Sequence, residues 1–571
     1  DTGRFTRLQH DPADRYSLPN NNVITIYQDR GGVLWIGTYD GLSKWNPATR
    51  AMLHFRNEAN DVASLSENTV TSFAERSDGN VWVGTFGGGL NLLDLETVQF
   101  SQLRHDPDDT SSLSSNRIMA LLTDSRGSVW AGTRSSGLNR IDPVTGSVTR
   151  FEHDPADSNS ISANGVTSIL ELDSQILVGT FGGGLNVLDP DTGRFTRLQH
   201  DPADPRSLSN DRVLVLFQDS EGAVWIGTYG GGLNRYDSST GAFAALRNDP
   251  DDAASLSGDE IYMIQEGPDG DLWVGAKDAG LNRWAAADRE AGRARFGRLG
   301  ELEGLPSDTI YSGIWDNDGR LWLSTARGLS RLDTRTREFR NYDLSHGLQG
   351  QEYNLAAGLR TRDGWILFGG LNGFNMFDPE RMVNGRQPPQ VAVTNFLGLN
   401  EPVDLSAYRS NGEPAELDHT TNVISIEYAA LDHAAPEKSR YRYRLDGLDK
   451  DWVDAGLKRQ VTYTNLPAGE YTFRVTAINN DGVWSQDSAD LRFVVMPAPW
   501  QTWWAYTLYA AVLLLLVGIA LRDHNKRVKR AAKLAYVDEL NLLQNRLSEA
   551  QRIANIGNWD WNIKTLSLIH I

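Results

Sequence analysis

The sequence contains no cysteine. Disulfides, thiolate metal sites and cysteine nucleophiles are therefore excluded, although that absence assigns no compartment. Basic charge is also scarce: 55 Lys and Arg stand against 74 Asp and Glu, a net charge of -19. Nucleic acid is not expected as a partner, because its binding needs a basic face. Strongly anionic ligands are disfavoured too, unless basic residues cluster locally. There is no Gly-Lys-Ser/Thr phosphate loop, no nucleophile elbow and no phospho-acceptor histidine in a helical box. Neither catalysis nor a cofactor is expected of this chain. Long hydrophobic runs are missing except for one, at 503–521. The first residue is Asp1, and the opening fourteen residues recur identically at 191–204. The sequence thus opens inside a repeat, and the lack of a leader segment carries no information.

At 571 residues the chain is too long for one core, so several domains are expected. Its dominant feature is the phrase Trp-(Ile/Val)-Gly-Thr, followed by Gly-Leu-Asn. The first position of the phrase falls at Trp35, Trp82, Trp130, Leu177, Trp225, Trp273, Trp322 and Leu367. The spacings are 47, 48, 47, 48, 48, 49 and 45 residues. Each unit carries four strand signals. In one copy these are Val213-Leu214-Val215-Leu216-Phe217, Val224-Trp225-Ile226-Gly227-Thr228, Leu233-Asn234-Arg235-Tyr236 and Ala242-Phe243-Ala244-Ala245-Leu246. Turns such as Asp219-Ser220-Glu221-Gly222 separate them. Four short antiparallel strands per unit predict one β-propeller blade. The Trp is expected to pack between blades, and the Gly after it to admit a close neighbour.

This phrase resembles the two-component regulator propeller repeat, over residues 1–380. The resemblance implies a seven-bladed ring. Eight units are present, which fits a full ring preceded by the last blade of another. In the alternative, an eight-bladed ring, residues 4–8 would complete the final blade. A linker is expected at 381–390. Residues 391–496 show period-2 strands and regular turns, which predict an Ig-like β-sandwich. The segment Tyr443-Arg444-Leu445-Asp446-Gly447-Leu448-Asp449, with Trp452, Tyr463, Tyr471 and Trp484, is similar to the three-tyrosine domain that follows regulator propellers.

The uncharged run at 503–521 is long enough to span a bilayer. Trp500, Trp503, Trp504, Tyr506 and Tyr509 crowd its first end, and Arg522, Lys526, Arg527, Lys529, Arg530 and Lys533 crowd the other. By the positive-inside rule the basic end is cytoplasmic, and propeller and sandwich lie outside. A bacterial inner-membrane, periplasm-facing protein is expected. Leu540, Leu543, Leu547, Ala550 and Ala554 make an a/d seam within 522–554, predicting a coiled coil and a homodimer. Residues 555–571 resemble the start of a PAS domain, although Leu566-Ser567-Leu568-Ile569-His570-Ile571 departs from that pattern. The expected fold is therefore all-β, a propeller of four-stranded blades and a sandwich, followed by one transmembrane helix and a cytoplasmic coiled-coil helix.

The loops hold the candidate sites. His10, His105, His153 and His200 each sit in a His-Asp-Pro triplet, one per unit, and read as turn residues rather than metal ligands. The acidic runs at 106–109 and 249–252 lack calcium-loop spacing and read as solvated loops. Asn21, Asn68, Asn116, Asn164, Asp211, Asp259 and Asp308 each stand two residues before a blade's first strand. Such loops converge on one face of a propeller. A ring of amides and carboxylates there suits a neutral hydroxylated ligand, and the plainer reading is loop capping. The resemblance implies a receptor whose output module, a histidine kinase or diguanylate cyclase, lies outside this chain. An oligosaccharide is the first expectation for its ligand. A scaffold that docks a protein partner is the alternative, and a propeller lyase a third.

Overall fold

The computed structural model describes residues 9–10, 17–29, 32–46, 52–380, 382, 388–405, 412–433, 436–479, 482–554, 559–562 and 567–570. These fall into two compact units. The first comprises Asp1–Gln390 with the segments Ala430–Ser439 and Ala477–Gln486; the second holds the rest.

Seven four-stranded antiparallel sheets, here called blades 1 to 7, make up most of the first unit. Blades 1 to 6 span 70–103, 118–151, 166–198, 213–246, 261–299 and 310–342, each in sequence order. Blade 7 takes three strands from 353–377 and its fourth, Met52–Phe55, from the other end of the repeat region. The first strand of each blade lies beside that of the next, and Tyr353–Arg360 of blade 7 lies beside Val70–Glu75 of blade 1. The sheets thus close on themselves. Asn354 fastens the closure, donating to the Val70 carbonyl at 2.7 Å. The first motif copy, with Trp35, stands apart in a three-stranded sheet of Val23–Gln28, Leu34–Thr38 and Gly41–Trp45. An eight-unit ring would need residues 4–8 as the closing strand. Those residues lie outside the described ones, and Met52–Phe55 holds that place.

The burial pattern explains the repeat. A second strand such as Val224–Thr228 is buried at every position, because neighbouring blades cover both faces. A fourth strand such as Arg194–Leu198 is partly exposed and keeps the alternation expected of a half-covered sheet. Trp130 and Trp322 are fully buried, and Trp322 packs on Phe377 of the following blade with ring centroids 4.7 Å apart. The Gly two residues after the Trp is where the next blade's first strand presses in. A Cβ on Gly132 would lie 2.4 Å from Val166 Cγ1.

The same phrase conceals a polar joint. Asp124, Asp219 and Asp316 open the turn six residues before their Trp. Each accepts the indole N–H, of Trp130 at 2.8 Å, Trp225 at 2.8 Å and Trp322 at 2.9 Å. The other carboxylate oxygen accepts turn N–H groups, as Asp219 does from Glu221 and Ala223. In blades 1 and 5 the turn residue is Arg76 or Gly267. There the buried indole nitrogens of Trp82 and Trp273 have no partner.

The second unit is a two-sheet sandwich followed by a helix. One sheet orders Glu401–Pro402, Val391–Gly398, Val423–Ala430 and Gln460–Thr464. The other orders Ala415–Leu417, Ala489–Val495, Gly469–Ile478, Arg440–Asp446 and Val453–Gly456. Phe396, Tyr428, Tyr441, Phe473 and Phe493 fill the space between. Tyr471 donates to the Pro467 carbonyl at 2.9 Å and Tyr463 to Asp449 at 3.1 Å, so these two hydroxyls are satisfied at the core's edge. The helix Trp503–Ala554 runs unbroken for 52 residues, about 78 Å. It has an apolar stretch of mean hydropathy 2.1, long enough to cross a membrane. Its start is tied to the sandwich: Ala505 is buried, and Trp500 sits edge-on to His419 at 5.4 Å. The seam residues Leu540, Leu543 and Leu547 are exposed on the single chain. Most of the expected 381–390 linker, and 555–558, 563–566 and 571 of the expected PAS start, lie outside the described residues. Within the latter, Trp559–Asn562 pairs with Ser567–His570.

Candidate ligand-binding face

The loops joining each blade's fourth strand to the next blade's first carry at most a short 3-10 turn, as at Glu301–Glu303 and Leu344–His346, and side-chain hydrogen bonds pin them. Asn116 accepts the His105 N–H at 2.8 Å, Asn164 that of His153 at 2.7 Å, and Asp211 that of His200 at 2.7 Å. Asp259 holds Asn248, Asn68 holds Asn57 and Asp308 holds Glu301 in the same way, at 2.7, 2.7 and 2.8 Å. The backbone carbonyl of the same residue faces the previous blade. It accepts the hairpin glycine N–H there, as in Gly89 to Asn116 at 3.0 Å and Gly137 to Asn164 at 3.0 Å. Gly137, at φ +72°, has no room for a Cβ, which would lie 2.0 Å from the Phe151 carbonyl.

Six of the seven candidate residues thus occupy one repeated place in the ring, with one side-chain oxygen spent on closing a loop. Asn21 does not join them. It holds His10 at 2.7 Å beside the separate first sheet, and Gln351 takes the seventh place, its carbonyl accepting the Gly328 N–H at 2.7 Å. The histidines belong to the same loops. The Nδ1 atoms of His105, His153 and His200 meet the carbonyls of Leu113, Ile161 and Leu208 at 2.6, 2.8 and 2.7 Å. Asn248 makes the equivalent bond to Leu256, which explains how it replaces a histidine. The acidic runs are used locally as well: Asp106 accepts the Asp108 N–H and Asp109 that of Ser111. No cluster of metal-ligating side chains is found among the described residues.

Around these loops the same face carries a feature that motif reading missed. In blades 1, 3 and 4 the residue after Gly-Thr reaches across to the residue just before the next blade's first strand. Phe86 bridges to Arg117, Phe181 to Arg212 and Tyr229 to Glu260. Side chains stack along the same line. Arg212 lies 5.4 Å from the Phe181 ring and 5.8 Å from the Tyr229 ring, and those two rings are 6.2 Å apart. Lys277 pairs with Glu260 at 3.3 Å. Next to them Tyr262 and Tyr311 stack at 6.1 Å. Burial pushes the Tyr262 hydroxyl up to about 12, and it raises that of Tyr311 as well, so both are neutral donors at physiological pH. The partners in each bridge are 31 residues apart, too far for any local pattern to join them. A cavity of about 360 Å³ elsewhere, lined by Arg76, Trp82, Leu103 and Pro143, sits between blades 1 and 2.

The chain matches the family model "Two component regulator propeller" at 17–40, 64–87, 112–135 and 207–230, and the model "Y_Y_Y domain" at 432–496. It has the domain make-up of a two-component sensor region. The chain is 30% identical over 253 residues to "Histidine kinase P4" of Formosa agariphila, covering 43% of the chain and 18% of that protein. It is also similar to the crystal structure of the extracellular domain of a hybrid two-component system protein from B. thetaiotaomicron. That match has 26% identity and a TM-score of 0.71, over 86% of this chain and 64% of that one. The chain therefore spans less than a fifth of the kinase's length and about two thirds of the solved extracellular domain.

Proposed function

We propose that this chain senses a ligand outside the cytoplasmic membrane and passes the signal inward through its single long helix. The ligand, for which an oligosaccharide is the leading class, binds on the loop face of the ring. Trp503–Ala554 crosses the inner membrane once and pairs with a second copy through Leu540, Leu543 and Leu547. A histidine kinase or diguanylate cyclase then reads the packing of the paired helices. The observation that carries this reading is the helix itself. Its apolar stretch is rooted in the sandwich at Trp500 and Ala505, is bounded by tryptophans on that side, and leads into a basic segment on the other. The solved relative contributes only that its own domain is extracellular.

Because the chain has no cysteine, single cysteines report topology without background. In Ser239→Cys, on an exposed turn of blade 4, a membrane-impermeant maleimide should label cells whose outer membrane alone is opened. Ser548→Cys should react only after the inner membrane is broken. Labelling of Ser548→Cys before Ser239→Cys would reverse the orientation and end the proposal.

A further inference from the structure

We infer that the loop face of blades 1 to 4 binds an acidic oligosaccharide, with Arg117, Arg134 and Arg212 taking its carboxylates or sulfates and Phe86, Phe181 and Tyr229 stacking on its sugar faces. The inference rests on the sensing role proposed above and narrows the ligand's chemistry. In a chain of net charge -19 many arginines find carboxylates, and others, such as Arg150, Arg197 and Arg298, bond backbone carbonyls. Arg126 meets Asp191 at 2.6 Å, Arg289 meets Glu266 at 3.0 Å and Arg320 meets Asp316 at 2.8 Å. Arg117, Arg134 and Arg212 are exposed and have no carboxylate partner among the described residues.

What they have instead is aromatic rings. Arg117 and Arg134 share Phe86, at 5.8 and 5.7 Å from its centroid, so two like charges gather at one ring. Arg212 lies against both Phe181 and Tyr229. A guanidinium held over a ring keeps its N–H edge free for a planar anion, and a fork of two N–H groups matches a carboxylate or sulfate. An incoming anion would also relieve the repulsion between Arg117 and Arg134. The rings between these charges present flat apolar surface, which suits the C–H faces of a pyranose. At blade 5 the character changes, because Glu260 occupies the position of Arg212 and neutralises Lys277. The anion-accepting stretch therefore ends there, which favours a short acidic chain over an extended polyanion.

The test uses the full chain in lipid nanodiscs and isothermal titration. The probes are galacturonic acid oligomers and sulfated oligosaccharides, each beside its carboxyl-reduced or desulfated counterpart, with inorganic sulfate as a further arm. The charged oligomers should bind about tenfold or more tightly than the neutral ones, and their affinity should fall as salt rises. Arg212→Gln and the pair Arg117→Gln with Arg134→Gln should each remove most of that preference without moving the unfolding midpoint. Arg212→Lys should restore only part of it, having the charge but not the fork. Equal binding of charged and neutral oligomers, or arginine variants that bind like the parent, would overturn the inference while leaving oligosaccharide sensing intact. Binding of inorganic sulfate alone would overturn it too, as would failure of every oligosaccharide, and the last result would also remove the ligand class proposed above.

Discussion

Blades 2, 4 and 6 differ from blades 1 and 5 at the first residue of a turn whose backbone hydrogen bonds they share. In blade 2 the Asp124 N–H bonds the Ser128 carbonyl and the Gly127 N–H bonds Asp124. Blade 1 repeats both bonds with Arg76, Asn80 and Gly79, and blade 5 repeats them with Gly267, Asp271 and Gly270. The backbone does not need the aspartate. What changes is the indole behind it, which has an acceptor in blades 2, 4 and 6 and none in blades 1 and 5. A repeat can therefore keep its turn while its buried polar balance drifts from blade to blade. The cost falls on stability, because a buried donor without a partner loses water and gains nothing.

The largest effect is expected where the joint is intact. Asp219→Ala would strand the Trp225 indole and release the N–H groups of Glu221 and Ala223 together. A loss of about 2–4 kcal/mol is expected in urea denaturation of the full chain. The next effect is a difference between two identical substitutions. Trp225→Phe leaves one oxygen of the Asp219 carboxylate without its indole donor, whereas Trp273→Phe deletes an N–H that was already unpaired. The first should cost about 1–2 kcal/mol more than the second. Equal costs would show that the indole bond contributes nothing to the blade.

Much of this was legible in the sequence, and the reasons for the gaps are physical. The blade pitch stood out because every unit must cover both faces of its second strand, which repeats a Trp and a Gly at a fixed distance. The ring's closing strand was not legible. Met52-Leu53-His54-Phe55 follows the Trp35 unit directly and reads as that unit's own fourth strand, yet it pairs with Gly373–Phe377, more than three hundred residues away. Asp219 was visible as a turn former, and its second task lay six residues on, where turn rules do not look. The polar residues from Asn68 to Asp308 share one repeated place in the ring, and Asn21 does not. Their bonding depends on an N–H that lies up to eleven residues back in the loop and a glycine in another blade. The aromatic and arginine line on the same face has no sequence signature, since each contact spans a blade boundary.

The smallest and most pointed prediction repairs blade 1. Arg76→Asp should supply the acceptor that Trp82 lacks, because the turn is already formed by the same backbone bonds as in blade 2. The gain is reduced on two counts. Arg76 now pairs with Asp78 at 3.4 Å in an exposed contact worth little, and the new carboxylate would sit near Asp78 and Glu75. A net stabilisation of about 0.5 kcal/mol is expected. It should vanish in a Trp82→Phe background, where no indole N–H remains to be satisfied. A gain that persisted there would mean that the aspartate acts through the turn rather than the tryptophan. The equivalent change in blade 5 should gain less. The Cβ added at Gly267 would lie 2.6 Å from the Asp269 carboxylate, so Asp269 would have to move before a new side chain could reach Trp273.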